Sequence, residues 1–308
     1  MLSSGIKNPP MSVVMAAYNH GKYIGEAIQS VLDQTFGDFE LIVFDDGSID
    51  NTRDVVSAFS DKRIRYHYQV NSGLPACGRN KGMKLSVGKY ISLFDADDVW
   101  YKEKLQKSKE ILDAMPEVGL VCHNEAIVHD GRIMRNTSFG PYRFDMYRQL
   151  LFKGNCLHSS AVTLRRKIVF DDGLEFSEDK QLFTVEDYEY WMRLSKKYRF
   201  FFLPDVLGYY RVTDTGAFLS SGSANPLNML RLLDVHFKEM GEPDKETKKL
   251  IRKRRSTVMC SGGRICLHKG EFEESARWYR MALRELPFGY KALLGLLTSL
   301  LRIKVVFR

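Results

Sequence analysis

No apolar run in these 308 residues approaches the roughly 20 residues needed to cross a bilayer. No Walker A loop and no GxGxxG turn is present, so neither a P-loop nor the dinucleotide fingerprint has support. Cysteine is scarce. Cys77, Cys122, Cys156, Cys260 and Cys266 are odd in number and lack CxxC spacing. They read as reduced, mostly buried thiols, which points to a cytosolic compartment and away from a disulfide framework or a thiolate metal site. The opening, Met1 to Pro10, is short and polar and ends in a proline pair, unlike a signal peptide. Basic and aromatic residues do not interleave, so nucleic acid is not an expected partner. The 44% hydrophobic and 27% charged content is that of an ordinary globular protein.

Charge is present but uneven. Residues 1–240 hold 30 Lys and Arg against 31 Asp and Glu, whereas residues 241–308 hold 16 against 7, a net of +9. A near-neutral body with a basic tail implies two functional parts.

The body alternates strand and helix patterns. Ser12 to Tyr18 is a short apolar run without helical period, as a buried strand requires. Ile24, Ala27, Ile28, Val31 and Leu32 then form a helical stripe. Glu40 to Asp45 reads as a second strand, with a turn at Asp46-Gly47-Ser48 and a helix through Val55, Val56 and Phe59. Ile64 to Gln69 and Tyr90 to Asp95 are further strands. This order predicts a Rossmann-like, doubly wound, mostly parallel α/β sheet, in which ligands sit beyond the carboxyl ends of the strands. Tyr18, Asp45, Asp46 and the Asp95 cluster all fall at such ends. Val118 to His129 and Arg132 to Arg135 flank Asp130-Gly131, a type I′ hairpin signal. Ser160 to Arg165 and Phe200 to Leu203 are expected strands. Residues 136–158 and 171–184 read as long loops that cover the crevice and shape a second substrate's site.

Two acidic stretches carry the chemistry. Phe94-Asp95-Ala96-Asp97-Asp98 ends the fourth strand, where clustered carboxylates suit a hard divalent cation. In an extended chain Asp95 and Asp97 share a face, and Asp98 points away unless the strand has already turned. The same acids would also serve as caps for the helix beginning near Tyr101. Ninety residues beyond Asp97, Asp187 opens a stripe with Trp191, Leu194 and Tyr198 at the start of a helix, with Glu186 about 100° away around it. The helix dipole favours an ionised carboxylate there. Such an acid suits a general base, or satisfies N-terminal N–H groups. Together the two stretches suggest metal-assisted transfer of a group carried on a phosphate.

Six segments, in order, resemble the glycosyltransferases of family 2, which have the GT-A fold. They are Ser12 to Asn19, Ala27 to Phe36, Glu40 to Thr52, Asn71-Ser-Gly73 with Gly78-Arg-Asn-Lys-Gly82, Lys89 to Asp98, and Glu186-Asp187 followed by Tyr190-Trp191-Met-Arg-Leu194. The resemblance spans roughly residues 11–213. It implies that Ala16, Ala17, Tyr18 and Asp46 line the base and ribose pocket, with Arg79 near the donor. Asp95 would lie near ribose and metal, and Asp97 would ligate Mg or Mn directly. Asp187 matches the general base of inverting members, and Glu186 and Trp191 belong to the same motif. Gly78 replaces the usual Ala, which is expected to loosen the loop before the metal strand. Tyr209-Tyr210-Arg211 is similar to a late Tyr-Arg segment without the His that often follows, so Arg211 is a weaker candidate for diphosphate contact. The implied donor is a nucleotide-diphosphate sugar, foremost a UDP-sugar. The implied acceptor is a saccharide or a lipid-linked hydroxyl, as in cell-surface polysaccharide or glycolipid synthesis.

The tail from Gly270 to Pro287 resembles the second helix of a tetratricopeptide repeat, and because a lone copy cannot stand as a repeat array, a single helix pair packed on the catalytic domain is expected. Beyond it, Ala292 to Leu301 is apolar and Arg302, Lys304 and Arg308 are basic. With Arg252 to Arg255, this pairing suits an anionic membrane surface and a peripheral place on its cytosolic face. The expected organisation is a tail at 1–10, a catalytic domain at 11–215 and a basic helical extension at 216–308. A nucleotidyltransferase shares the sheet and the metal, and a non-catalytic nucleotide-sugar binder shares the fold. The first releases pyrophosphate, and the second needs neither Asp97 nor Asp187.

Overall fold

The structure, a computed structural model, describes residues 8–140, 145–212 and 224–304. The chain divides into two compact units. The first comprises residues 1–147, 155–178 and 186–213; the second comprises 148–154, 179–185 and 214–308.

The first unit is built on one nine-stranded sheet. Strands β1 (Met11–Ala17), β2 (Phe39–Asp45), β3 (Ile64–Tyr68) and β4 (Tyr90–Asp95) are parallel, in the order β3-β2-β1-β4. Helices α1 (Ile24–Leu32), α2 (Thr52–Ser57) and α3 (Pro75–Leu85) alternate with them. β1 and β2 are buried along almost their whole length, which explains why they read as continuous apolar runs. The α1 stripe of Ile24, Ala27, Ile28 and Val31 is fully buried, as its spacing requires.

Past β4 the sheet becomes mixed. The two-residue strand β5 (Val99–Trp100) and helix α4 (Lys104–Ala114) lead to β6 (Val118–His129). β6 forms a hairpin with β7 (Arg132–Asn136), and Asp130 and Gly131 take φ of 48° and 72°. Positive φ at both turn positions is what a type I′ turn demands. β8 (Val162–Arg165) inserts antiparallel between β4 and β6, while β9 (Arg199–Val212) runs parallel to β6 and antiparallel to β5. Helix α5 (Met146–Lys153) interrupts the segment expected to be one long loop, and α6 (Lys167–Phe170) and α7 (Glu186–Ser195) follow.

The segment around Gly78 to Gly82 is a helix, not a loop. Proline at the start of α3 fits the first helical turn. Gly78 and Gly82, four residues apart, turn one face of α3 onto the sheet. A Cβ at Gly82 would come within 2.5 Å of Val14 Cγ1. Glycine here serves close approach between helix and strand, and sequence reading mistook it for a loop signal. At Gly78 a Cβ would meet Ala16 at an ordinary 3.7 Å, so an alanine would fit there and close approach does not require the glycine.

The second unit is helical. Its longest elements are α8 (Ala224–Glu239), α9 (Lys245–Lys269), α10 (Phe272–Glu285) and α11 (Tyr290–Leu300). Gly270, at φ +79°, closes α9 in the left-handed conformation that only glycine adopts without strain. α9 and α10 meet through small residues. A Cβ at Gly263 would lie 2.7 Å from the Tyr279 ring, and one at Gly262 2.8 Å from Trp278. Gly263→Val should therefore overpack this contact and cost about 1–3 kcal/mol, read as a lower midpoint in thermal unfolding followed at 222 nm. An unchanged midpoint would show that the helices do not meet there. No helix among the described residues is long and apolar enough to cross a membrane.

Candidate active site

The parallel register sets the floor of the crevice. Ala16 pairs with Phe44 on one side and Asp95 on the other, and Ala17 pairs with Asp45. Three strand ends thus finish at one level. The Asp46 N–H donates to the Ala17 carbonyl at 2.9 Å. Asp45 is buried and accepts from Tyr66 Oη at 2.7 Å and Ser48 N–H at 2.8 Å, which fixes the turn. The Asp46 carboxylate accepts from the Ser72 hydroxyl at 2.7 Å and from Gln69, tying β2 to the segment after β3.

The loops after β1 and β2 are stitched together. Asn19, at φ 56°, donates its N–H to Ser48 Oγ at 2.8 Å, and its Oδ1 accepts from Ile49 N–H at 2.9 Å. His20 N–H donates to Thr52 Oγ1 at 2.9 Å. Tyr18 remains 46% exposed beside this brace. His20 Nε2 lies 3.8 Å from Asp97 Oδ2, so the loop that presents Tyr18 also reaches the acidic turn.

The acidic turn has already left the strand at Asp97. The Asp98 N–H donates to the Asp95 carbonyl at 3.2 Å, and this turn carries Asp98 back toward Asp95. Asp98 is 1% exposed, bonded to the Ser160 hydroxyl and to the Arg211 N–H at 3.0 Å. Its position is therefore inside, as the brace of the turn, while Asp97 is more open. Burial pushes the Asp97 carboxyl above its usual value, opposed by His20 and reinforced by the Asp95 charge. Asp98 is pushed well above its usual value by burial, against the pull of His158.

Arg79 joins the two acidic stretches. From α3 its guanidinium reaches Asp95 Oδ1 at 2.8 Å and Glu186 Oε1 at 3.1 Å. Burial works against the guanidinium, but Asp95 and Glu186 outweigh it and hold it above the ordinary arginine value. Burial likewise works to raise Asp95, and Arg79 overrides it and keeps the carboxyl below its usual range. Residues 95 and 186 thus share one cation.

α7 does not have the single inward stripe expected from its sequence. Both Glu186 and Trp191 are buried, and most of the helix is buried around its circumference. Glu186 therefore faces the site, where it holds Arg79, rather than pointing off it. Asp187 is half-buried, with Oδ1 accepting from the Tyr188 N–H at 2.6 Å and Oδ2 3.3 Å from Asn155 Nδ2. The dipole does not dominate its ionisation. Burial first, then the Glu186 charge, raise it to about 6 against the pull of Arg79. Trp191 sits wholly inside, its ring 5.2 Å from Tyr190 and 5.8 Å from Phe176, and anchors α7.

Sequence reading missed His158 and Glu125. His158 Nδ1 lies 3.0 Å from Glu125 Oε2 and 3.8 Å from Asp98, and its Nε2 lies 3.8 Å from Asp95. Burial disfavours the imidazolium, but Glu125, with Asp98 and Asp95, lifts it to about 10. Ligand atoms of Asp95, Asp98 and His158 lie within 4.8 Å of one another. His158 lies against these carboxylates and pairs with Glu125, and the same three residues offer one nitrogen and two oxygen ligands to a cation. No local pattern marks either residue, because β6 and the segment before β8 meet only in the folded sheet. Arg211 is likewise committed. Its Nε donates to the Asp97 carbonyl at 2.9 Å, and its Nη2 to Glu26 Oε2 at 2.6 Å.

The carboxylates of Asp95 and Asp97 fit a hard divalent cation. They are oxygen donors at a strand end, and the Asp95 charge that disfavours ionised Asp97 is what a bound cation would relieve.

A doubly wound sheet with an acidic turn after its fourth strand, facing a carboxylate at the head of a later helix, defines the GT-A class of nucleotide-sugar folds. The model of glycosyl transferase family 2 matches residues 12–172, and the chain belongs to that family. Relatives include the uncharacterized glycosyltransferase MJ1057 of Methanocaldococcus jannaschii, 27% identical over 75% of this chain and 80% of that one. An uncharacterized glycosyltransferase of Rickettsia felis is 29% identical over 64% of this chain, which spans only 32% of that relative. TuaG of Bacillus subtilis, named provisionally for teichuronic acid biosynthesis, is 38% identical over 34% of this chain and 42% of its own. Among solved structures, S. aureus TarS 1–349 in complex with UDP-GlcNAc superposes with a TM-score of 0.64 at 18% identity, covering 94% of this chain and 90% of that one. The mannosyltransferase PcManGT of Pyrobaculum calidifontis, in complex with GDP-Man and Mn2+, gives 0.60 at 17% identity, covering 96% and 81%. At these identities the superpositions establish the fold.

Proposed function

We propose that the protein is an inverting glycosyltransferase that moves a sugar from a nucleoside diphosphate onto an acceptor hydroxyl. One observation carries the reading. Arg79 bridges Asp95 and Glu186, so the acidic turn and the head of α7 face one another across a crevice at the strand ends. Ala16, Ala17, Tyr18 and Asp46 border the donor's base and ribose. A divalent cation, Mg or Mn, held by Asp97 with Asp95 would supply charge neutralisation for the leaving diphosphate.

An acceptor hydroxyl titrates far above neutral pH and needs a base at the moment of attack. Asp187 takes that proton on a carboxylate oxygen as the acceptor oxygen bonds to sugar C1. The bond from C1 to the phosphate oxygen breaks, and the nucleoside diphosphate leaves with the electron pair. One displacement inverts the anomeric centre. Asn155 aligns Asp187, and Arg79 keeps Glu186 and Asp95 paired so that neither competes for the acceptor. A nucleotide-sugar donor is supported by the UDP-GlcNAc and GDP-Man bound in the structural neighbours, and a polysaccharide acceptor by the teichuronic acid pathway for which the Bacillus relative is named.

The test is a panel of UDP- and GDP-sugars incubated with Mg2+ or Mn2+. Release of nucleoside diphosphate, dependent on the metal, is expected. Release of pyrophosphate would assign a nucleotidyltransferase instead, and a product with retained anomeric configuration would remove Asp187 from its role.

A further inference from the structure

Helix α11 is turned inside out. Its buried face is made of small residues, Ala292, Gly295 and Ser299. The Tyr279 ring presses onto Gly295, where a Cβ would lie only 2.2 Å away, and Ser299 Oγ meets Ser275 Oγ at 2.8 Å. Its leucines face outward. Leu293, Leu294, Leu297 and Leu300 are 48–64% exposed, and at 100° per residue they share one arc of roughly 120° with Tyr290 and Leu301. Solvated helix faces are ordinarily polar, and an apolar patch of this kind marks an interaction surface.

Charge selects the occupant. From Leu286 to Arg308 the sequence contains no Asp or Glu. Lys291, just beyond Leu294 around the helix, is exposed, as are Arg302 and Lys304 past the C-terminal end. A second copy of this chain, paired through the same face, would bring these cations against one another. A bilayer with anionic headgroups satisfies both features: acyl chains accept the leucines, and headgroups accept the cations. Phe288, 94% exposed at the entrance to the helix, adds an aromatic of the kind that settles at that depth.

We propose that α11 is an in-plane anchor for an anionic lipid surface. This goes beyond the proposed reaction and does not depend on it. The test uses full-length protein and vesicle flotation, comparing phosphatidylcholine vesicles with vesicles in which phosphatidylglycerol replaces part of the phosphatidylcholine. Binding to the anionic vesicles at low salt is expected, with loss as salt rises through the screening range. Leu294→Gln with Leu297→Gln should weaken binding about tenfold or more. Both side chains face outward, so helical content by circular dichroism should not change. Lys291→Gln with Arg302→Gln and Lys304→Gln should flatten the salt dependence. The proposal is overturned by absence of binding at low salt, by equal binding to neutral vesicles, or by leucine variants that bind as the wild type does. It is equally overturned if light scattering finds a dimer that the leucine variants split.

Discussion

Asp187→Asn is expected to lower turnover by about 10²–10⁴-fold while leaving donor binding nearly unchanged. The amide keeps the shape of the carboxylate and can still accept from the Tyr188 N–H, but gives up the Asn155 contact and cannot accept the acceptor's proton. The pH profile separates this from a structural loss. Burial and the Glu186 charge raise Asp187 to about 6, and only its ionised form is a base. The wild-type rate at saturating donor should therefore rise as pH climbs through about 6 and level off above it, and the Asn variant should lack that limb. Glu186→Gln removes the like charge beside Asp187 and frees Arg79 to pull on it. Both effects lower the Asp187 value, so this variant should keep turnover and move the limb to lower pH. Turnover of Asp187→Asn close to wild type, with the acidic limb intact, would sink the assignment.

Asp97→Asn should abolish metal-dependent donor binding. Its carboxylate lies 3.8 Å from His20 Nε2 and is disfavoured by burial and by the Asp95 charge, so it contributes little to the fold. Losing it should leave the melting temperature near that of the wild type. Asp98→Asn is the control within the same turn. Asp98 is buried, holds the Arg211 N–H and is bonded to Ser160, so its loss should appear as lowered stability. Calorimetric titration of nucleoside diphosphate with Mn2+, with and without EDTA, reads the difference. Donor affinity that Asp97→Asn does not change and EDTA does not reduce would remove Asp97 from metal binding.

Local pattern carried much of this molecule. Strands β1, β2 and β4 lie where the apolar runs place them, because a parallel strand buried on both faces needs nothing but apolar side chains. The Asp130-Gly131 turn is legible for a similar reason, since positive φ is a property of the residues themselves. Helix α3 escapes a local reading because it holds two glycines, of which Gly82 serves close approach to Val14, a tertiary demand that composition reports as flexibility. Within the site, Asp95, Asp97 and Asp187 could be named from the sequence, but the orientation of Glu186 could not. A helical stripe assumes one buried face, and α7 is buried on nearly all of them.

The sequence by itself determined the alternating order of elements, the acidic turn at the end of β4, the carboxylate at the head of α7 and the basic tail. Each is a local matter of residue type and spacing. Only the tertiary structure decided what those groups do to one another. It placed Arg79 between Asp95 and Glu186, brought His158 and Glu125 behind the acidic turn, folded Asp98 inward as a brace, and turned the leucines of α11 outward. Those outcomes rest on contacts between residues far apart in the chain, where burial and charge act through space and leave no periodic trace in the sequence.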